Sequence, residues 1–314
     1  MEKLGKLIGN SSNMRRVYQQ INEAARSDIP VLLLGETGTG KDLVGRTIHQ
    51  FSKRHNNPFI EVNLGAFPVD MATSELFGHE KGAYTGAETR HKGIFEQAHK
   101  GTIMLNEIDT TPEKLQVSLL RILEEKQFRR IGGGDIIKSD VRVLAASNAN
   151  LEDLVYSGLF RSDLFYRLDI FRVTMPPLRC RQGDIELLAE TFLKRFNQEF
   201  GKKVIRISTQ SMAKLKYYSW PGNIRELENV IKKAIITCMG HVILLEHLPY
   251  KIQEVEPSAN SVSFRLGKPL DKIKAEMITA SLSAVGNNRQ KAASLLGISR
   301  RALYNKMNKY HINH

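Results

Sequence analysis

The sequence predicts an α/β domain on a parallel sheet, followed by two smaller all-α domains. Three observations carry that prediction. Through the first half, short apolar runs alternate with amphipathic stretches of helical period. After "MPPLRCR" the strand signals stop and only helical patterns continue. A polar, turn-rich stretch then separates a last helical segment from the rest.

The elements follow in order. "VLLLG" (Val31–Gly35), "FIEVN" (Phe59–Asn63), "TIMLN" (Thr102–Asn106) and "VRVLAASN" (Val141–Asn148) read as strands, several of them stopping on a polar residue or glycine. Continuous apolar runs fit a parallel sheet covered on both faces, with ligands at the carboxyl ends of its strands. "LQVSLLRILEE" (Leu115–Glu125) reads as one covering helix. Ile185–Phe200, Ser208–Tyr218 and Ile224–Met239 read as the helices of the second domain. Predicted borders are 1–172, 173–250, a linker at 251–265 that includes "QEVEPSANSVS", and 266–314.

Composition narrows the function classes. A chain of 314 residues with 41% hydrophobic and 25% charged residues can bury two or three cores. No apolar run approaches the ~18 residues of a membrane span, and "MEKLGKLIGN" lacks the core of a secretory signal, so a cytoplasmic protein is expected. Cys180 and Cys238 read as reduced thiols, too few for a disulfide framework or a cysteine metal site. The net charge of +13 favours polyanionic partners without choosing among them.

"GETGTGKD" follows the first strand and opens a helical run, the setting of a phosphate-binding loop. Backbone amides of Gly35, Glu36, Thr37, Gly38, Thr39 and Gly40 would close on phosphate oxygens, with the helix N-terminus adding its dipole. Lys41 would reach the β- and γ-phosphates of ATP. Asp42 stands where a magnesium-ligating Ser or Thr is usual, so the cation must lean on other groups. Those groups are expected at the end of "TIMLN". A strand ending on two acids commonly holds Mg2+ and activates water, but here the pair is Asn106 and Glu107. Glu107 can still act as base. Asn106 keeps an oxygen and loses the charge, so slower hydrolysis with intact ATP binding is expected.

"ELFGHEKGAYTGA" (Glu75–Ala87) resembles the signature of the bacterial enhancer-binding proteins, AAA+ activators of sigma-54 RNA polymerase. Their loop motif is usually G-A-F-T-G-A. Here it is Gly82, Ala83, Tyr84, Thr85, Gly86 and Ala87, and the tyrosine keeps the aromatic ring. The resemblance runs from "LIGNSSNM" to "WPGNIRELENV" and into the C-terminus. It implies an AAA+ P-loop domain, a helical lid, and a mobile loop that contacts sigma-54. It further implies that Asn63 is a switch residue pairing with Glu107, Asn148 a first sensor and Arg225 a second. Arg161 and Arg167 of "FRSDLFYRLD" would reach into the neighbouring subunit's site. On residues alone, those arginines would be read as surface groups paired with Asp163 or Asp169.

The family normally shows "LDE" where this chain has "LNE". A naturally slow enzyme, a substitution introduced to trap ATP, and compensation by Asp109 are three accounts of Asn106.

"GNNRQKAASLLGISRRALYNKMNKY" reads as a helix (Arg289–Leu296), a break at Gly297, and a second helix capped by Ser299. From Gly286 to His314 stand Arg289, Lys291, Arg300, Arg301, Lys306 and Lys309, with no Asp or Glu. This is a helix-turn-helix, with Arg289, Ser299, Arg300, Arg301, Tyr304, Asn305 and Lys306 as candidate DNA contacts. It resembles the Fis-like domain of the same family, and the preceding helix, about Leu270–Val285, would then dimerise on a two-fold enhancer site.

The expected protein is therefore a sigma-54-dependent activator and ATPase. It would bind enhancer DNA as dimers, assemble into a hexameric ring, and act on the sigma-54 RNA polymerase holoenzyme. The resemblance supplies no signal-receiving domain, so either the chain is truncated or a regulatory protein partner controls it. A nucleotide-gated DNA-binding switch with little hydrolysis is the alternative. A replication-initiator-type remodeller is disfavoured by the "GAYTGA" loop.

Overall fold

The computed structural model describes residues 3–181, 183–254, 267–286, 288–310 and 312. Residues 255–265 of the predicted linker lie outside them. The chain divides into two compact units, Met1–Gln253 and Glu254–His314.

The first unit is built on five parallel strands: β1 (Val31–Leu34), β2 (Phe59–Asn63), β3 (Thr102–Asn106), β4 (Arg142–Ser147) and β5 (Arg172–Thr174). Their order across the sheet is β5-β1-β4-β3-β2. Four of these match the strands expected from sequence. β5, only three residues long, was not expected, and it carries the α/β fold past the border placed at 172. A run that short shows no period to read.

Alternate residues feed two cores, which is why the strands are apolar throughout. Leu32, Ile103, Leu105, Val143 and Ala145 pack on one face with Leu115, Leu119 and Ile122 of a helix at Glu113–Glu125. Val31, Leu33, Met104, Leu144 and Ala146 pack on the other face, against α1 (Ser12–Ala25) and α2 (Lys41–Gln50). The Ser11 hydroxyl caps α1 by accepting from the Met14 N–H.

The lid consists of α3 (Asp184–Phe200), α4 (Thr209–Tyr217) and α5 (Asn223–Thr237) around Trp220, which is fully buried and donates to Leu215 O at 2.8 Å. Its helices start and stop within two residues of those expected. One addition is a parallel bridge of Arg206–Ile207 with Val242–Ile243, again too short to announce itself in sequence. Asp184 ties the lid to the chain start, accepting from Asn10 N, Ser11 N and Ser11 Oγ.

The second unit, taken alone, has three helices among its described residues: α6 (Leu270–Ala284), α7 (Arg289–Leu295) and α8 (Arg300–Lys309). Ile278, Leu282, Ala292, Ala293, Leu303 and Met307 form its core. Gly297 turns the chain between α7 and α8 at φ 63, and the helix-turn-helix geometry anticipated from "LLGIS" is present.

Candidate active site

Sheet register places the functional ends of the strands side by side. Asn63 and Asn106 are partners across β2 and β3, and Leu34 faces Ser147 across β1 and β4. The loop after β1 therefore lies beside the residues after β3 and β4. The Lys41 ammonium folds back onto this loop, donating to Gly35 O at 2.6 Å, Glu36 O at 3.1 Å and Asn148 Oδ1 at 2.7 Å. Burial draws its pKa down, against the opposing pull of Asp42, Asp109 and Glu107.

A cavity of about 280 Å3 opens above the loop. Thr37, Gly38, Gly40, Lys41, Asp42, Asn63, Asn106, Glu107, Asn148 and Arg225 all line it. Gly35, Glu36 and Thr39 shape the loop from outside the lining. Ten of the predicted nucleotide and catalytic positions are thus brought to one cavity.

Glu107 takes a left-handed backbone, φ 57, which turns the chain sharply at the end of β3. Its carboxylate lies over the backbone of Gly65, where an added methyl would come within 2.4 Å of Oε2. Asn63 does not hold Glu107 in this arrangement. Its Oδ1 instead accepts the Gly65 N–H at 3.0 Å, a local side-chain turn at the end of β2. Asn106 donates from Nδ2 to Glu61 at 2.9 Å, while its Oδ1 is buried without a partner. An orphaned acceptor beside Glu107, at a cavity rimmed by Lys41, fits a magnesium ion carried with phosphate. Among the described residues no cluster of three or more His, Cys, Asp or Glu could hold a metal by itself, and magnesium bound with substrate phosphates needs no such cage. Asp109 accepts the Asn148 N–H at 3.2 Å.

The lid meets the loop through residues that the sequence reading missed. Asn223 is fully buried; Nδ2 donates to Glu36 at 3.1 Å and Thr37 O at 3.0 Å, and Oδ1 accepts from Leu178 N at 2.8 Å. Ile224 N donates to Gly38 O at 2.9 Å, and Arg181 to Thr39 O at 2.9 Å. Three successive loop carbonyls are thus taken by the lid side, leaving the loop amides to the cavity. Gly38 has to be glycine: a Cβ there would lie 2.4 Å from Gly222 O. Arg179 closes the junction with a two-point bond to Glu36, which holds that carboxyl near a pKa of about 2, with Asn223 assisting. Burial lowers the Arg181 pKa to about 10. These partners lie far from the loop in sequence, and although Asn223 and Ile224 stand in "WPGNIRELENV" and the arginines in "MPPLRCR", nothing local ties those stretches to the loop carbonyls.

Arg161 and Arg167 lie outside the lining of their own chain's cavity. Arg161 pairs with Asp163 at 2.7 Å. Arg167 is exposed and makes no hydrogen bond or ion pair with the described residues, because Asp169 is taken by Arg172.

The Gly82–Ala87 loop is closed by Gly82 N–H to Ala87 O at 2.8 Å. Tyr84 is 45% exposed at its tip, its ring edge-on to His79 at 5.1 Å. The base of the loop is held by Arg130, whose buried guanidinium donates to Glu80 at 2.6 Å and to Glu96 at 2.6 and 3.1 Å. Ala83, Thr85 and Gly86 complete the loop at the surface or near it.

In the second unit Arg300, Arg301 and Asn305 are exposed on α8, with Lys306 half-buried. Ser299 caps the helix, accepting from Ala302 N at 3.1 Å. Arg289 stacks on Tyr304 and donates to its hydroxyl at 2.8 Å, which lowers the phenol pKa.

Residues 7–174 match the family model of the sigma-54 interaction domain, 179–263 that of the AAA+ ATPase lid domain, and 269–310 that of the Fis family of bacterial regulatory proteins. The chain is 44% identical over 98% of its length to the regulatory protein AtoC of Escherichia coli, of which it covers 68%. It is 42% identical over 99% to the nitrogen fixation protein AnfA of Azotobacter vinelandii, covering 58% of that protein. The chain thus spans about three-fifths to two-thirds of these relatives' length. Crystal structures of NtrX from Brucella abortus resemble it with TM-scores of 0.73 in complex with ATP and 0.74 with ADP, both at 31% identity, over 98% of this chain and 70% of theirs.

Proposed function

Since the chain belongs to the family of sigma-54-dependent transcriptional activators, we propose that it is an ATP-driven activator of sigma-54 RNA polymerase, bound to enhancer DNA through α7 and α8. The single observation that carries the ATPase reading is the shared cavity of Lys41, Asn106, Glu107, Asn148 and Arg225. NtrX, its structural neighbour, has been crystallised with ATP and with ADP.

In this reading the loop amides and Lys41 hold the triphosphate, and Glu107 takes the proton of the attacking water. The Glu107 carboxylate accepts no hydrogen bond from the described residues, its backbone carbonyl alone being taken by Thr110, so the carboxylate oxygens are available to a water. Asn106 and Glu107 would hold magnesium with its water shell, and the ion would neutralise charge developing on the phosphates. Asn148 and Arg225, which line the cavity from the sheet and from the lid, would contact the phosphates. Arg167, and Arg161 on leaving Asp163, would reach a neighbouring subunit in a homo-oligomeric ring and offset transition-state charge there. Asn63 and Glu107 would exchange partners with γ-phosphate state, and the Gly82–Ala87 loop would pass that change to sigma-54. We place the ATPase core at 1–174, so that it keeps β5, the lid from there to 250 and the DNA-binding part at 266–314.

A slower, nucleotide-gated DNA-binding switch is the second reading, favoured by the neutral amide of Asn106. Steady-state ATP hydrolysis at ring-forming concentration separates the two. Turnover above a Glu107→Ala control is expected; turnover equal to that control would leave only the switch.

A further inference from the structure

Asn106 is the departure of this site from the family pattern, and its amide is held by a specific neighbour. Nδ2 donates to Glu61 Oε1 at 2.9 Å, and Glu61 is ion-paired with Arg46 of α2. Glu61 lies on β2 two residues before Asn63, the in-register partner of Asn106. An amide has a donor end and an acceptor end, whereas a carboxylate has acceptors only. With Glu61 engaging the donor end, the acceptor Oδ1 is left buried and unpartnered on a residue that lines the phosphate cavity. An aspartate at this position would set two carboxylates against each other at hydrogen-bond distance, which like charges resist. Glu61 therefore explains why an amide is accommodated here. Asp109 does not fill this role, since its carboxylate is turned to the Asn148 N–H.

We propose that Glu61 is the positioning residue of the magnesium site. It fixes the Asn106 amide by engaging its donor end, which leaves Oδ1 free of any protein partner and so open to the magnesium that ATP carries. This rests on the ATPase reading above.

Three variants test it: Glu61→Gln, Asn106→Asp and the two combined. Binding of a fluorescent ATP analogue is titrated with magnesium, and the nucleotide-free proteins are melted. Glu61→Gln is expected to raise the magnesium concentration for half-maximal effect by about tenfold or more, with metal-free nucleotide affinity little changed. Asn106→Asp is expected to melt several degrees lower, and adding Glu61→Gln is expected to restore most of that loss. An unchanged magnesium dependence in Glu61→Gln overturns the proposal, as do additive melting shifts in the combined variant. A wild-type chain that binds no nucleotide overturns the ATPase reading along with it. A wild type that binds normally beside an indifferent Glu61→Gln overturns this proposal alone.

Discussion

Glu36 and Arg179 stand 143 positions apart in sequence and join at two points, 2.6 and 2.9 Å, across the junction of phosphate loop and lid. The loop is therefore held by the lid as well as by its own strand. Opening the lid would have to break this pair and the carbonyl contacts of Asn223, Ile224 and Arg181 together.

The pair has a defined pH signature. The Glu36 carboxyl is drawn from 4.5 to about 2 by Arg179 first and Asn223 second. A depressed folded-state pKa contributes stability that is complete above the unfolded value and lost as pH falls through the folded one. Glu36→Gln should therefore flatten the loss of stability between pH 4.5 and 2. Both partners are well exposed, so the cost at neutral pH should stay within about 1 kcal/mol. Urea unfolding of wild type and variant across that range measures both effects.

Asn223 should be far less tolerant. It is fully buried, it satisfies Leu178 N and Thr37 O, and its backbone is left-handed at φ 51. Asn223→Ala strands buried polar groups and adds backbone strain, for a loss of about 3 kcal/mol. Asn223→Gly strands the same groups without the strain and should be milder by about 1 kcal/mol. Denaturant midpoints of the two variants separate the side-chain contribution from the backbone one.

Arg167 has no partner among the described residues and does not line its own chain's cavity. If it serves a neighbouring subunit, Lys41→Ala and Arg167→Ala chains should each be inactive alone. Mixed, they should regain a measurable fraction of ATP turnover, because some junctions then pair an intact Lys41 with an intact Arg167. No recovery on mixing would place Arg167 in a role within its own chain.

Much of the site was legible because its residues are local to strand ends. Lys41, Asn106, Glu107 and Asn148 each follow a short apolar run, and a parallel sheet brings the carboxyl ends of such runs together. Glu61, Arg179, Arg181 and Asn223 gave no such sign. A charged residue in a strand or a lid turn reads as a surface group until its partner is known. The pairing of Asn63 with Glu107 drawn from the family resemblance differs for a related reason. A side chain that can bond its own backbone two residues on does so whenever the longer-range partner points elsewhere.

What the sequence by itself determined was the inventory: a phosphate loop after a buried strand, a strand ending Asn-Glu, the "GAYTGA" loop, and a basic helix-turn-helix. Those follow from period, glycine placement and charge, all of which act over a few neighbouring residues. What only the tertiary structure decided was which groups answer one another. The lid occupies the loop carbonyls, Asp169 chooses Arg172 over Arg167, and Glu61 holds the amide of Asn106. Such choices are set by the register of a parallel sheet and the seating of a lid, and these bring together residues that chain order keeps far apart.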